Sequence, residues 1–211
     1  MVSAGVEIVG EQDRPGRLAA LSDGVYAIAI TLLVLNIAVP AGLDPAGFRS
    51  ALHGTLPQLG AYVLSFTIIA IFWDDQRRVL DLLLRTDPVL TRIALAGLGL
   101  VALLPFPTSL LARYPHEPLA VAFYSANLAA VDLAQLALLL LVWKRPHLTI
   151  VPAGRAVPDA VWSMAATIVV FLLAVPLAFL STTAAEWFWL ALVPAQLTVR
   201  IRRRWRRTRQ T

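Results

Sequence analysis

The sequence predicts an all-α protein that crosses a membrane with six helices. Of its 211 residues, 58% are hydrophobic and only 15% are charged, and the mean hydropathy is +0.72. An ordinary soluble domain carries about 25% charged residues. The charges lie between long uncharged segments, and most Lys and Arg fall in alternate connections. These observations favour several membrane spans with short connections and exclude a soluble enzyme.

Six segments are predicted to be spans, because about 20 apolar residues cross the hydrocarbon and an ionised side chain at mid-bilayer costs at least a few kcal/mol. They are residues 18–39, 48–73, 89–111, 118–143, 159–180 and 183–201, all within a single six-helix transmembrane domain of residues 1–211. The first, second, third and fifth contain long uncharged runs. Asp132 interrupts the fourth, and the sixth is free of charge only over residues 187–199.

The distribution of positive charge predicts the orientation of these spans. If both termini are cytoplasmic, 16 of the 18 Lys and Arg residues lie on the cytoplasmic side, and only Arg49 and Arg113 lie outside. Such a bias is typical of a multi-pass protein with its N and C termini inside. The use of 17 Arg against one Lys favours a GC-rich prokaryotic genome and hence the cell membrane.

The net charge of +5 could also suggest nucleic-acid binding. However, seven arginines fall between Arg200 and Arg209, directly after a hydrophobic segment, where positive charge holds a span against the cytoplasmic face. We therefore predict contacts with the lipid bilayer and no nucleic-acid partner.

Chemistry that depends on cysteine or histidine clusters is not expected. The chain has no Cys, which removes disulfides and thiolate ligands, and its three His residues are scattered. The sequence predicts neither a cofactor, nor a resident metal site, nor an enzyme.

The first span carries an organised stripe of side chains. Gly24, Ile28, Thr31, Leu32 and Leu35 follow helical spacing and fall along one face. The stripe has a small residue at its inner end, bulky apolar side chains in the middle, and one hydroxyl group. A packing face inside a helix bundle is the more ordinary interpretation, and a pore wall is the more specific one.

Three polar residues precede the stripe at the cytoplasmic edge of the membrane. Ser22 is expected to cap the helix, and Asp23 to benefit from the exposed amides and to pair with Arg17. Direct ion binding by this trio is the alternative.

The segment RLAALSDGVYAIAITLLVLNI, residues 17–37, resembles the signature RxxxFSDxxxAIxxTLLxL of the transmembrane protein 175 family. This family comprises endosomal and lysosomal potassium channels and their prokaryotic homologues. Phe72 and Trp73, and the motif LPFPTSL at residues 104–110, also resemble family features.

The resemblance implies a potassium-permeable channel, a symmetric homotetramer in which four copies of the first helix surround a central pore. The implied roles are hydrophobic constriction rings for Ile28, Leu32 and Leu35, a selectivity layer for Thr31, and a network that holds the pore helix for Arg17, Ser22 and Asp23. Potassium would occupy the pore only transiently.

Four positions, which make three departures, differ from the family pattern. Leu21 replaces the Phe of the signature, and Gln76 and Arg77 stand where a pair of His is common. Asp23 is therefore expected to find a different partner, such as Arg77, and pH sensitivity through imidazole is not expected. Asn36 replaces a frequent acidic residue, so the outer mouth should attract cations less.

Two other functions remain open from the residues alone. A secondary transporter would use a polar site at mid-membrane, for which Asp132 is the candidate, although Asp132 could equally be a buried strut between helices. A non-conducting scaffold would use the stripe for packing only. No TVGYG filter is present, so selection by carbonyl rings is not expected and selectivity for potassium should be modest.

Overall fold

The computed structural model describes residues 14–35, 37–150 and 156–190, and this part of the chain is almost entirely helical. Its helices are α1 (Arg14–Val34), α2 (Pro45–Gly54), α3 (Leu56–Leu80), α4 (Pro88–Leu103), α5 (Pro105–Arg113), α6 (Pro118–Lys144), α7 (Ala156–Leu180) and α8 (Thr182–Leu190). A short 3₁₀ helix, Pro146–Leu148, follows α6. The predicted all-α class is confirmed for the described residues.

Five helical stretches of the described chain are long and apolar enough to cross a membrane. They are Pro15–Val34, Pro45–Leu80, Pro88–Arg113, Pro118–Lys144 and Ala160–Leu180. The sixth predicted span, residues 183–201, begins within α8 and continues outside the described residues, as does the arginine-rich tail. Five membrane-capable stretches identify a membrane protein.

Proline and aspartate define where several helices begin. Pro45, Pro88, Pro105 and Pro118 each open a helix, where the missing N–H of proline costs nothing. Asp44 caps α2 by accepting a hydrogen bond from the backbone N–H of Gly47 at 2.9 Å. Pro105 also separates α4 from α5, so the third predicted span is a broken helix.

The first helix ends earlier than the predicted span. It ends at Val34, whereas the predicted span continues to residue 39. The backbone N–H of Leu35 bonds to the carbonyl of Leu32 at 3.2 Å, so the last turn tightens and the helix stops. Pro40 further along also disfavours a helical conformation at the residue before it. Leu35 consequently lies in the turn just beyond α1.

Helix α6 lies at the centre of the subunit and α1 lies at its edge. Helix α6 packs against α3, α4, α5 and α7, whereas α1 packs against α3, α4 and α5. One core cluster surrounds Tyr26, Phe72 and Tyr124, and a second surrounds Leu18, Leu90 and Leu138. The position of α1 leaves one of its faces uncovered by its own subunit.

Two connections on the predicted cytoplasmic side are joined to each other. The backbone N–H of Leu84 bonds to the carbonyl of Leu148 at 2.8 Å, and that of Ile150 bonds to the carbonyl of Leu82 at 2.9 Å. Arg145 forms an ion pair with Asp87, the capping residue of α4. These contacts link the start of α4 to the end of α6.

We expect Gly97→Val to destabilise the subunit more than Gly99→Val. A Cβ atom at Gly97 would lie 3.3 Å from the Cβ of Ala134 on α6, whereas one at Gly99 would meet nothing within 4 Å. Overpacking of this kind costs about 1–3 kcal/mol, and both variants share the same change in helix propensity. Thermal unfolding in detergent measures the difference, and equal midpoints would contradict close packing of α4 on α6.

Candidate functional site

The predicted stripe of α1 faces away from the rest of its own subunit. Ile28 is 60% exposed and Leu35 is 72% exposed, Leu32 is 39% exposed, and Gly24 and Thr31 are also exposed. A stripe that packed inside the bundle of one subunit would be buried. The packing interpretation, if applied to a single subunit, is therefore wrong, and the stripe is available to lipid, to other copies of the chain, or to a pore.

The opposite face of α1 attaches the helix to the subunit. Leu18, Ser22, Tyr26, Ala29 and Leu33 follow one another at helical spacing, and all are buried. Both faces of α1 are thus largely apolar, but the subunit covers only one of them.

The hydroxyl of Thr31 is the polar group of the exposed stripe. It donates a hydrogen bond to the carbonyl oxygen of Ile28 at 2.8 Å. The hydroxyl proton is therefore used within the helix, and the oxygen keeps lone pairs that can accept a hydrogen bond or face a cation.

A buried chain of hydrogen bonds connects α1 to α3 and α6. The hydroxyl of Tyr26 donates to Oε1 of Gln76 at 3.0 Å, and Nε2 of Gln76 donates to Oγ of Ser22 at 2.9 Å. Nε2 of Gln135 donates to the Tyr26 hydroxyl at 3.1 Å and to the carbonyl of Phe72 at 3.0 Å. Ser22, Tyr26, Gln76 and Gln135 form what we term the α1 anchor.

Ser22 differs from its expected role as a helix cap. Helix α1 begins at Arg14, so Ser22 lies within the helix, where its amide is not one of the orphaned N–H groups that a cap satisfies. Its side chain instead belongs to the α1 anchor. Sequence analysis identified Gln76 as a departure from the family pattern but did not predict that Tyr26 joins it to Gln135, because these partners lie 50 and 109 residues from Tyr26.

Asp23 has a partner other than the expected ones. Its Oδ1 accepts a hydrogen bond from Nε1 of Trp73 at 2.7 Å. The guanidinium carbon of Arg77 lies 5.2 Å from the centroid of the same indole ring, a cation–π geometry. Arg77 therefore reaches Asp23 only through Trp73.

Arg17 is exposed and forms no ion pair with Asp23 or with any other residue in the described ranges. The expected pairing of Arg17 with Asp23 is thus not formed within one subunit. Six positions separate the two residues along α1, and this spacing places them on different faces of the helix.

Asp132 lies in the interior of the subunit and not on the exposed stripe. It is 4% exposed and lies on the central helix α6. Gln135 follows one turn later on the same helix and bonds to Tyr26. Asp132 is thus a neighbour of the α1 anchor.

No group of three or more metal-ligating side chains occurs among the residues for which the structure gives positions. A resident metal would need several such ligands in one place. What the exposed stripe of α1 offers instead is an apolar surface at membrane depth with one hydroxyl group, that of Thr31.

Comparison with known proteins gives a consistent result. Residues 17–105 match the family model described as "Endosomal/lysosomal potassium channel TMEM175". A potassium channel of Streptomyces collinus is 41% identical over 149 residues, which are 67% of this chain and 72% of that relative. A potassium channel of Chamaesiphon minutus is 40% identical over 126 residues, which are 57% of this chain and 62% of that relative.

The fold is similar to that of a solved structure. The crystal structure of a lysosomal potassium-selective channel TMEM175 homolog from Chamaesiphon minutus has a TM-score of 0.78 and 30% sequence identity. The similarity covers 89% of this chain and 98% of that chain.

Proposed function

Because the chain belongs to the TMEM175 family, we propose that it is a passive potassium channel in which four copies of α1 line a central pore. The channel lies in the cell membrane with both termini cytoplasmic. Potassium ions and the surrounding lipid are its partners, and neither a cofactor nor a nucleic acid takes part.

The exposed stripe of α1 is the observation that carries this proposal. The stripe lies opposite the buried face that holds α1 to its subunit, so it can face a pore without disturbing the fold. One subunit contributes only one such helix, and a single helix cannot enclose a pore. Closed rotational symmetry brings copies of the same face around one axis, and the family resemblance supports four copies.

The stripe supplies what a hydrophobic constriction needs. Ile28, Leu32 and Leu35 form successive apolar rings in the proposed tetramer, and a narrow apolar ring limits conduction by dewetting. An ion that crosses such a ring sheds water, a step that costs less for potassium than for the smaller and more tightly hydrated sodium ion. The Thr31 oxygen offers a polar layer between the rings.

The α1 anchor and the Asp23–Trp73 bond hold the pore helix in place. Ser22 and Asp23 each connect α1 to α3, through Gln76 and Trp73 respectively. Arg17, which is exposed within one subunit, is free to contact a neighbouring copy or the lipid headgroups at the cytoplasmic edge. Ser22 and Asp23 therefore keep the stripe oriented toward the pore axis, and a contact of Arg17 with a neighbouring copy in the proposed tetramer would add to their effect.

A secondary transporter is the competing function, and buried Asp132 is the observation that favours it. A carboxylate inside a span can carry a coupled proton, and coupled flux would then depend on Asp132. In the channel, by contrast, Asp132 supports packing beside the α1 anchor and carries no ion.

Passive flux separates the two functions. Liposomes loaded with potassium chloride should release potassium without a proton gradient, and Asp132→Asn, which keeps the shape and most hydrogen bonds of the side chain, should retain at least about half of this flux. Protein-free liposomes give the background. Flux that needs an imposed proton gradient, or that Asp132→Asn abolishes in a folded protein, would contradict the channel.

A further inference from the structure

The short helix α2 has a surface that its own subunit does not use. None of its ten residues is buried. Phe48 and Leu52, one turn apart, are each 49% exposed and lie on one face with Ala51, while Arg49, Ser50 and His53 lie on the other. Helix α2 is therefore amphipathic and unpartnered within the subunit.

The sequence contains clear signals for the start of α2, although none of its residues is buried. Asp44 caps it, Pro45 opens it, and the absence of a side chain at Gly47 makes room for the cap, because a Cβ there would lie 2.7 Å from Oδ1 of Asp44. A helix of ten residues is only marginally stable in water unless its apolar face is covered. Something outside the subunit therefore covers Phe48 and Leu52.

The length of the following helix shows where α2 lies. Together, α2 and α3 span 36 residues, about 54 Å if they were one continuous helix at 1.5 Å per residue, which exceeds the ~30 Å hydrocarbon. The uncharged part of α3, residues 56–73, alone rises about 27 Å and fills the hydrocarbon. On this length the second span begins near residue 56 and not at the predicted residue 48, and helix α2 is left at the outer edge of the membrane.

The apolar surface of α2 continues onto the membrane-spanning surface. Leu56, Leu59 and Val63 on α3 are exposed, as Phe48 and Leu52 are on α2. Arg49 lies beside the apolar face of α2, where a guanidinium can bind lipid phosphate. An apolar face flanked by a basic one is typical of helices that lie in the plane of a bilayer interface.

We propose that α2 is an interfacial helix whose Phe48–Leu52 face inserts into the outer leaflet of the membrane, with Arg49 at the level of the lipid phosphates. This helix sets the depth of the outer end of α3, to which it is joined through Thr55. The proposal requires a membrane but does not depend on which ion the protein conducts.

Site-directed fluorescence tests the proposal directly, because the chain has no native Cys. Phe48→Cys and the matched control Ser50→Cys are each labelled with a small fluorophore in the full-length protein, reconstituted in phosphatidylcholine and phosphatidylglycerol liposomes. Both side chains lie in the exposed class and outside the buried core, so neither substitution removes a core residue. Quenching is measured with nitroxide on the upper acyl chain and with aqueous iodide.

The label at position 48 should be quenched at least about twofold more by the lipid nitroxide than the label at position 50, and iodide should show the reverse order. Two results would overturn the proposal. Protection of the position-48 label from both quenchers would mean that another copy of the chain covers this face. Equal quenching of both labels by iodide would mean that α2 is solvated on all sides.

Discussion

Replacement of both Leu32 and Leu35 by Ala should raise the potassium current about tenfold, which corresponds to a barrier lower by about 1.4 kcal/mol. Both side chains are exposed on the stripe of α1, and in the proposed tetramer each substitution widens the pore at one ring. A wider ring stays hydrated, so the ion sheds less water when it crosses. Because dehydration favours potassium over sodium, selectivity should fall as the current rises.

Single-channel recording in planar bilayers, with potassium on one side and sodium on the other, measures both effects. Val34→Ala is the matched control, since Val34 is 49% exposed but lies off the stripe. The control should leave the current and the reversal potential unchanged. If the double variant changes only the unfolding midpoint and leaves the current unchanged, the stripe is a packing surface and does not form the constriction of the pore.

Tyr26→Ala should lower the stability of the subunit by about 3 kcal/mol or more, the range for removal of a buried aromatic side chain. Tyr26 is 1% exposed and lies in the same core cluster as Ile69 and Phe72. Its hydroxyl also joins Gln76 to Gln135. Removal of the ring therefore opens a cavity and separates the two halves of the α1 anchor.

Tyr26→Phe divides this effect into its parts. The ring is kept and only the hydroxyl is lost, so the expected loss is about 1 kcal/mol. Unfolding in detergent, followed by tryptophan fluorescence, reports both variants. Equal losses for Phe and Ala would show that the hydrogen bonds dominate, and no loss for Ala would contradict the tight attachment of α1 to α3 and α6.

The two predictions concern opposite faces of one helix. The buried face keeps α1 in a fixed orientation, and the exposed face meets the ion in the proposed channel. A change on the buried face should alter stability first, whereas a change on the exposed face should alter conduction first. This separation is what distinguishes a pore helix from a helix that only packs.

The sequence predicts the helices and the stripe well because both depend on local patterns. Uncharged runs locate the membrane-capable stretches, and helical spacing groups Ile28 with Leu32 and Leu35 on one face. The limits of α1 are harder to predict. The sequence predicts a cap at Ser22, whereas the helix begins at Arg14. No sequence pattern marks the tightened turn at Leu35.

Partners distant in sequence could not be predicted. Trp73 is the last residue of the second predicted span, and an indole N–H at the end of a span needs a polar partner, but the separation of 50 residues gives no sign that this partner is Asp23. The same holds for Tyr26, which sequence patterns treat as one more aromatic residue in an apolar helix. Tertiary packing alone brings Tyr26 between Gln76 and Gln135.

The most direct test of the central claim, that the exposed face of α1 lines a potassium-conducting pore, is thiol modification during current recording. The native chain has no Cys, so silver ion in chloride-free solution, a cationic thiol reagent close to potassium in size that can pass where potassium passes, has no other thiol target. Thr31→Cys places a thiol on the exposed stripe, and Leu33→Cys, at a position only 1% exposed, is the control on the buried face.

The reagent should irreversibly block most of the potassium current of Thr31→Cys and leave that of Leu33→Cys and of the native protein unchanged. A charged reagent reaches position 31 only through water, so this block would locate Thr31 in an aqueous pore. A potassium current of Thr31→Cys that the reagent leaves intact would mean that the stripe faces lipid or protein, and it would contradict the account.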